Sequence, residues 1–384
     1  MYLIKFAFQS LWNRRLTSSL SIFSIAMSVT LLFGIEKIRI GARESFTNTI
    51  SKVDLIVGAS GGSIQLLLYS VFRIGNATKN VSFDSFKRYE GHPSIEWVIP
   101  YSLGDSHKGF RVVATDQRFY EHYRYRGDQS LKFQDGKMPT QVLDVVIGSQ
   151  VASILKYKLG ESIVIAHGAS DGPALVLHDD KPFKIVGVLQ ATNTPIDRSV
   201  YITLEGMEFI HMNWPDSETD EAIAGTKSKV PEPSEIEVNQ ITSFLLRTKN
   251  RIETLKLQRE INTDKEESLL AIIPGVALAE LWDNMAYAES GMRLISVFVV
   301  FIGLLGMLSS IYSSLNERRR EMAILRAVGI GTRSIGLLLI IEGLTLSLSG
   351  LFLGTFLTYG LIFAGQSFFE SSFGLRLPLN GLSN

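Results

Sequence analysis

Three long apolar runs constrain this chain more than any other feature. Leu16–Ile35 carries no charged residue, Met292–Leu315 carries only Arg293 near its start, and Ile335–Phe363 carries only Glu342. Each reaches the ~20 residues that an α-helix needs to cross a bilayer. Hydrocarbon offers no partner to backbone N–H and C=O groups, so such runs must be helical. The first run is too long for the core of a signal peptide, and no small-residue cleavage site follows it. It is expected to be retained as a span. Of the 384 residues, 46% are hydrophobic, and the apolar excess sits at the two ends.

Charge sets the expected orientation. Lys5, Arg14 and Arg15 precede the first run, and Arg318, Arg319, Arg320, Arg326 and Arg333 cluster between the second and third. Basic residues stay on the cytoplasmic side. The N-terminus and 316–334 are therefore expected inside, and 37–290 outside. That large region holds more acidic than basic residues, which argues against nucleic-acid binding. The layout read from the sequence is an amphipathic helix over 1–15, a span over 16–36, an external domain over 37–290, a span over 291–315, a cytoplasmic segment over 316–334, a span over 335–363 and an external tail over 364–384.

Within 37–290, runs rich in Val and Ile predict strands at Val53–Gly58, Trp97–Pro100, Phe110–Thr115, Asp144–Gly148, Ser162–Ala166, Phe183–Leu189, Ser199–Thr203 and Ile236–Thr248. Helices are predicted over Ser149–Lys158, Arg251–Ile261 and Gly275–Glu289. The fold class is thus an α+β membrane protein, with a mixed α/β domain inserted between spans 1 and 2. Residues 213–235 are polar and proline-bearing and read as a surface insertion.

The chemistry is bounded mainly by what is missing. There is no cysteine, so disulfides, thiolate metal sites and cysteine nucleophiles are excluded. The glycines at Gly61 and Gly62 are followed by no GxxxxGK[ST], so they mark a turn and not a phosphate loop. No GxSxG occurs, and the six histidines show no HExxH spacing. His178 with Asp179 and Asp180, and His167 upstream, form the most metal-like group, but a solvated polar loop accounts for them, and no metal, catalytic or cofactor residue is assigned. Glu342 is the notable intramembrane polar residue. An intramembrane carboxylate is a functional candidate by default; pairing or packing near the interface accounts for it more simply. Gly350 and Gly354 form a G-x-x-x-G pair compatible with close helix packing.

The stretch Asn316–Thr332 combines basic residues with Met322, Ile324, Leu325, Ala327 and Val328, then breaks at Gly329 and Gly331. Anchoring to anionic lipid explains the arginines alone. The apolar residues point to a short amphipathic helix that docks a partner.

Three sets of strings resemble the MacB-type (type VII) ABC transporter permeases, relatives of FtsX and of the lipoprotein-release permeases. ERRREMAILRAVGIGTRSIGLLLIIEG, from Glu317 to Gly343, is similar to the family's signature after the second span. DVVIGSQVASILKYKLGESIVI with FKIVGVLQATNTPIDRSVYI, and DLIVGASGG, are similar to its periplasmic core domain. The resemblance implies a permease that couples ATP hydrolysis by a separate cytoplasmic ATPase to motion of a periplasmic domain, for export, extraction or lipoprotein release. It implies that Arg318, Arg319, Arg320, Glu321, Ile324, Leu325, Arg326, Ala327, Val328 and Gly329 form the coupling helix. It implies that ATP is bound by the partner and that this chain holds no cofactor. The expected partners are an ABC ATPase, a second copy or a paralogous permease, the bilayer, and a periplasmic or lipoprotein partner, in the bacterial inner membrane. The family has four spans where this sequence reaches three, so either truncation before the fourth or an impaired subunit without it is expected. The alternative is a membrane-anchored sensor or scaffold that binds an external ligand without an ATPase.

Overall fold

The computed structural model describes residues 15–168, 176–212, 230–317 and 331–373, with residues 9, 11, 12, 323, 326, 327 and 329. In chain order the principal elements are α1 (Arg15–Thr49), β1 (Leu55–Ala59), α2 (Phe83–Glu90), β2 (Ile95–His107), β3 (Phe110–Thr115), β4 (Phe133–Gly136), β5 (Asp144–Ile147) and α3 (Ser149–Leu155). There follow β6 (Ala166–His167), β7 (Val176–Leu177), β8 (Phe183–Leu189), β9 (Ser199–Thr203), α4 (Leu204–His211), β10 (Ser243–Thr248), α5 (Arg251–Asn262), β11 (Leu269–Ile272), α6 (Pro274–Glu317) and α7 (Thr332–Phe373). The chain divides into a helical unit built from its two ends and a sheet unit spanning Arg43–Asn284.

The sheet unit is built on one 12-stranded sheet whose main path runs β11-β1-β10-β2-β3-β9-β5-β8-β4. The pairs β3–β9 and β5–β8 are parallel, and the other neighbours on the path are antiparallel. Both faces are buried, which explains the continuous apolar runs in the sequence. Successive strand residues point to opposite faces. Leu55, Val57, Val145, Ile147, Val200 and Ile202 fill one core with Phe86, Val151, Met207 and Leu257 from the covering helices α2, α3, α4 and α5. Ile56, Val146, Tyr201 and Leu245 fill the other, against Leu66, Tyr69 and Phe119.

Several elements differ from the sequence reading for local reasons. The strand expected at Trp97–Pro100 runs on to His107. The helix expected to reach Lys158 stops at Leu155, because Lys156 turns into the left-handed region with φ 58°. The segment Ser162–Ala166 breaks into two short strands, Ser162–Ile163 and Ala166–His167. The run Ile236–Thr248 also breaks, since Gln240–Ile241 pairs with Val81–Ser82 whereas Ser243 onward pairs with β2. Between them buried Thr242 turns its hydroxyl onto Leu103, accepting from the Leu103 N–H at 2.9 Å. Gly61 and Gly62 form a bend leading into the short helix Ser63–Leu67. The helix expected over Gly275–Glu289 is the start of α6, which continues unbroken to Glu317. Of the amphipathic helix expected over 1–15, Gln9, Leu11 and Trp12 are helical, and the rest before Arg15 lies outside the described residues, as do 213–229 of the expected insertion. Residues 364–373, read as the start of a tail, belong to α7.

Three helical stretches, Arg15–Gly41, Pro274–Gly306 and Thr332–Gln366, are long and apolar enough to cross a membrane. The GxxxG pair is a contact surface. A Cβ on Gly350 would lie 2.6 Å from Ile25 Cγ2, and one on Gly354 would lie 2.6 Å from the Ala26 carbonyl oxygen. Only glycine lets α7 approach α1 this closely. Thr30 Oγ1 donates across the contact to the Gly354 carbonyl at 3.1 Å. On its other side α1 meets α6, where Ser28 Oγ reaches the Val299 carbonyl at 3.3 Å. Arg39 on α1 pairs with Glu36 at 2.5 Å and with Glu289 on α6 at 3.5 Å.

Candidate functional site

Two places carry the functional question. The first is the turn between α6 and α7. Arg318, Arg319, Arg320, Glu321, Ile324, Leu325 and Val328 lie outside the described residues. Ala323, Arg326 and Ala327 are helical and exposed. The Gly329 N–H closes onto the Arg326 carbonyl at 3.0 Å, and Gly329 itself has φ +92°. That is a helix end closed by a left-handed glycine, a conformation that a Cβ would strain. Ser334 and Ile335 N–H groups then bond to the Gly331 carbonyl and start α7. Among the described residues, the glycine break read in the sequence thus holds a helix end at Gly329 with the exposed cationic side chain of Arg326 before it. Glu342 is buried in the helical unit.

The second place is in the sheet unit and was only half visible in the sequence. Strand β2 loses its pairing register against β3 between Leu103 and Ser106. Such a bulge bends a strand and re-aims a side chain. Here Asp105, Ser106 and His107 are all buried in succession. The Asp105 side chain is fully buried. Its Oδ1 lies 3.3 Å from His167 Nδ1, and its Oδ2 lies 3.3 Å from His211 Nε2. The two ring nitrogens are 3.1 Å apart.

Each histidine comes from a different support. His167 is on β6, which pairs with both β2 and β7. His178 follows β7, and its N–H bonds the Ile165 carbonyl at 3.0 Å. His211 is the last residue of α4, whose N-terminus is capped by the Thr203 side chain. The three rings stand nearly perpendicular to one another, with centroids 5.2 to 6.3 Å apart. The Asp105 carboxylate pushes the His211 pKa up, against the effect of burial, and burial pushes that of His178 down. A cavity of ≈ 310 Å³ opens beside the group, lined in part by Asp105, His167, His211, Glu208 and Gln240.

This corrects the ligand-like set read from the sequence. His167 and His178 do come together, but Asp179 and Asp180 face solvent. Their place is taken by Asp105 and His211, which sequence reasoning missed. No short spacing links 105, 167, 178 and 211; only the bulge and the sheet order bring them together. The other histidines serve elsewhere: His122 stacks on Trp97, His92 lies 3.6 Å from Glu260, and His107 bonds Val164 and Tyr157.

The MacB-like periplasmic core domain family matches residues 18–261, well over half the chain. The chain belongs to the MacB-type permease family. The FtsX-like permease C-terminal family matches residues 293–383 of the same permease. Among solved structures, the periplasmic region of MacB from Actinobacillus actinomycetemcomitans is similar at 9% identity and a TM-score of 0.36, covering 61% of this chain and 94% of that one. The extracellular domain of the noncanonic ABC-type transporter YknZ from Gram-positive bacteria is similar at 12% identity and a TM-score of 0.33, covering 57% and 98%. No curated protein matches. The permease is thus a membrane-embedded, non-catalytic component of an ABC transporter, with a sheet domain of the MacB periplasmic core type.

Proposed function

We propose that this permease transmits the ATP-driven motion of a separate cytoplasmic ATPase to its sheet domain, which lies on the periplasmic side of a bacterial inner membrane. The observation that carries this is the turn between α6 and α7, with exposed Arg326 closed by left-handed Gly329 between two membrane-length helices. With no phosphate-binding loop in its own sequence, the chain needs a partner to bind ATP and no cofactor of its own for that purpose. The coupling helix, Arg318–Gly329, sits in a groove of the ATPase, and two permease copies, identical or paralogous, flank an ATPase dimer. ATP-driven closure moves α6 and α7, and α1 follows through its close contact with α7 at Gly350 and Gly354 and through the Arg39–Glu289 pair to α6. The domain then extracts, releases or activates a lipoprotein or other envelope partner.

The test is affinity purification of the intact protein from membranes, with Arg326→Glu plus Leu325→Asp as the comparison. The reading expects an ABC ATPase to co-purify with the wild type and to be lost from the double variant. Equal recovery of the ATPase with both would remove the docking role. Recovery of an external partner alone, with no ATPase, would favour a sensor or scaffold.

A further inference from the structure

We propose that Asp105, His167, His178 and His211 form a binding site for one divalent transition-metal ion of the zinc class. This goes beyond the coupling role, since it concerns the sheet unit alone and does not depend on an ATPase.

The donor set comes first. Three imidazoles and one carboxylate suit zinc, copper, nickel or cobalt, whereas magnesium and calcium take oxygen ligands. The distances come second. Bonds of about 2.0–2.1 Å in a tetrahedral zinc site set neighbouring ligand atoms about 3.3 Å apart. The two ring nitrogens are 3.1 Å apart, and each lies 3.3 Å from its own Asp105 oxygen, His167 Nδ1 from Oδ1 and His211 Nε2 from Oδ2. All four residues offer ligand atoms within 4.8 Å of one another, so side-chain rotation brings His178 onto the same centre.

The electrostatics argue independently. Asp105 is 0% exposed, and among the described residues neither carboxylate oxygen accepts a hydrogen bond of good geometry. A buried carboxylate without donors is costly unless a counter-charge faces it. His211 Nε2, His167 Nδ1 and the Asp105 carboxylate face one another at 3.1 to 3.3 Å. A cation there satisfies all three together. The ≈ 310 Å³ cavity lined by Asp105, His167 and His211 gives an ion a route in. Once bound, the ion ties the β6–β7 hairpin and the C-terminal end of α4 to the β2 bulge.

The experiment uses the full-length protein in detergent, carrying no histidine tag and stripped with a chelator. Zn²⁺ binding is titrated against a chromophoric chelator, and Co²⁺ is added separately as a spectroscopic probe. The expected result is one Zn²⁺ per chain, the visible absorption of tetrahedral Co²⁺, and a melting temperature raised by Zn²⁺. His167→Ala and His211→Ala each weaken binding by at least ~10-fold, whereas His122→Ala leaves it unchanged. If a variant fails to fold, the wild-type Co²⁺ spectrum and the Zn²⁺ melting shift still decide. Substoichiometric binding by the wild type, octahedral-type Co²⁺ absorption, or equal affinity in His122→Ala and His211→Ala would overturn the proposal in favour of a hydrogen-bonded His–Asp cluster.

Discussion

Replacing Gly354 by alanine adds one methyl group at the closest approach between α1 and α7. That methyl carbon would lie 2.6 Å from the Ala26 carbonyl oxygen, 2.8 Å from Val29 Cβ and 2.9 Å from Val29 Cγ1. Carbon atoms prefer separations of about 3.5–4.0 Å, so the helices must part by roughly an ångström. Two of the three contacts are to a β-branched side chain with little rotamer freedom and the third is to backbone, so neither can fold away. Overpacking of this kind costs about 1–3 kcal/mol. Parting the helices also breaks the bond from Thr30 Oγ1 to the Gly354 carbonyl. Its loss is small, because Thr30 also bonds the Ala26 carbonyl at 2.8 Å. Alanine favours helix over glycine by about 1 kcal/mol, which offsets part of the cost. Gly360→Ala isolates that offset, since a Cβ there meets nothing within 4 Å. Equilibrium unfolding in mixed micelles, followed by tryptophan fluorescence, should place Gly354→Ala about 1–3 kcal/mol below Gly360→Ala. Equal stability of the two variants would refute the close contact.

Asp264 supplies a pH prediction. Burial works against its charge, but hydrogen bonds from the Tyr89 hydroxyl and the Glu266 and Glu267 amides, with the Arg88 charge, hold its pKa below the ordinary aspartate value. A carboxyl depressed in the folded state contributes stability that is present above about pH 4 and lost as pH falls through the folded value. The melting temperature of the wild type should therefore fall more steeply below pH 4 than that of Asp264→Asn, and parallel profiles would contradict the assignment. Buried Asp197 accepts from the amides of Thr192 and Asn193 and from the Thr192 hydroxyl, at 2.7 to 3.0 Å. Asp197→Ala leaves those donors unsatisfied and should cost about 3 kcal/mol in chemical denaturation, whereas a loss under 1 kcal/mol would show that the loop re-pairs them.

What was legible in the sequence follows from burial. Phe110–Thr115, Phe183–Leu189 and Ser199–Thr203 stand within the sheet as read, because strands covered on both faces are dominated by apolar and β-branched residues. The spans were legible for the same reason, their length set by the bilayer. The polar cluster was not. Asp105 sits at a bulge in β2, and its partners lie in three separate later segments. Adjacency misled at His178–Asp179–Asp180, where the backbone turns after β7 and buries only the first side chain. The break at Thr242 was hidden because both pieces of the run have strand-like composition while pairing with different partners.

The most direct measurement of the coupling account is ATPase stimulation in a reconstituted bilayer. The permease and its ATPase are assembled in lipid nanodiscs, and hydrolysis is compared for the wild type and for Arg326→Glu with Leu325→Asp. The account predicts stimulated hydrolysis with the wild type and a rate near that of the free ATPase with the variant, at equal protein in the bilayer. Undiminished stimulation by the variant would contradict it.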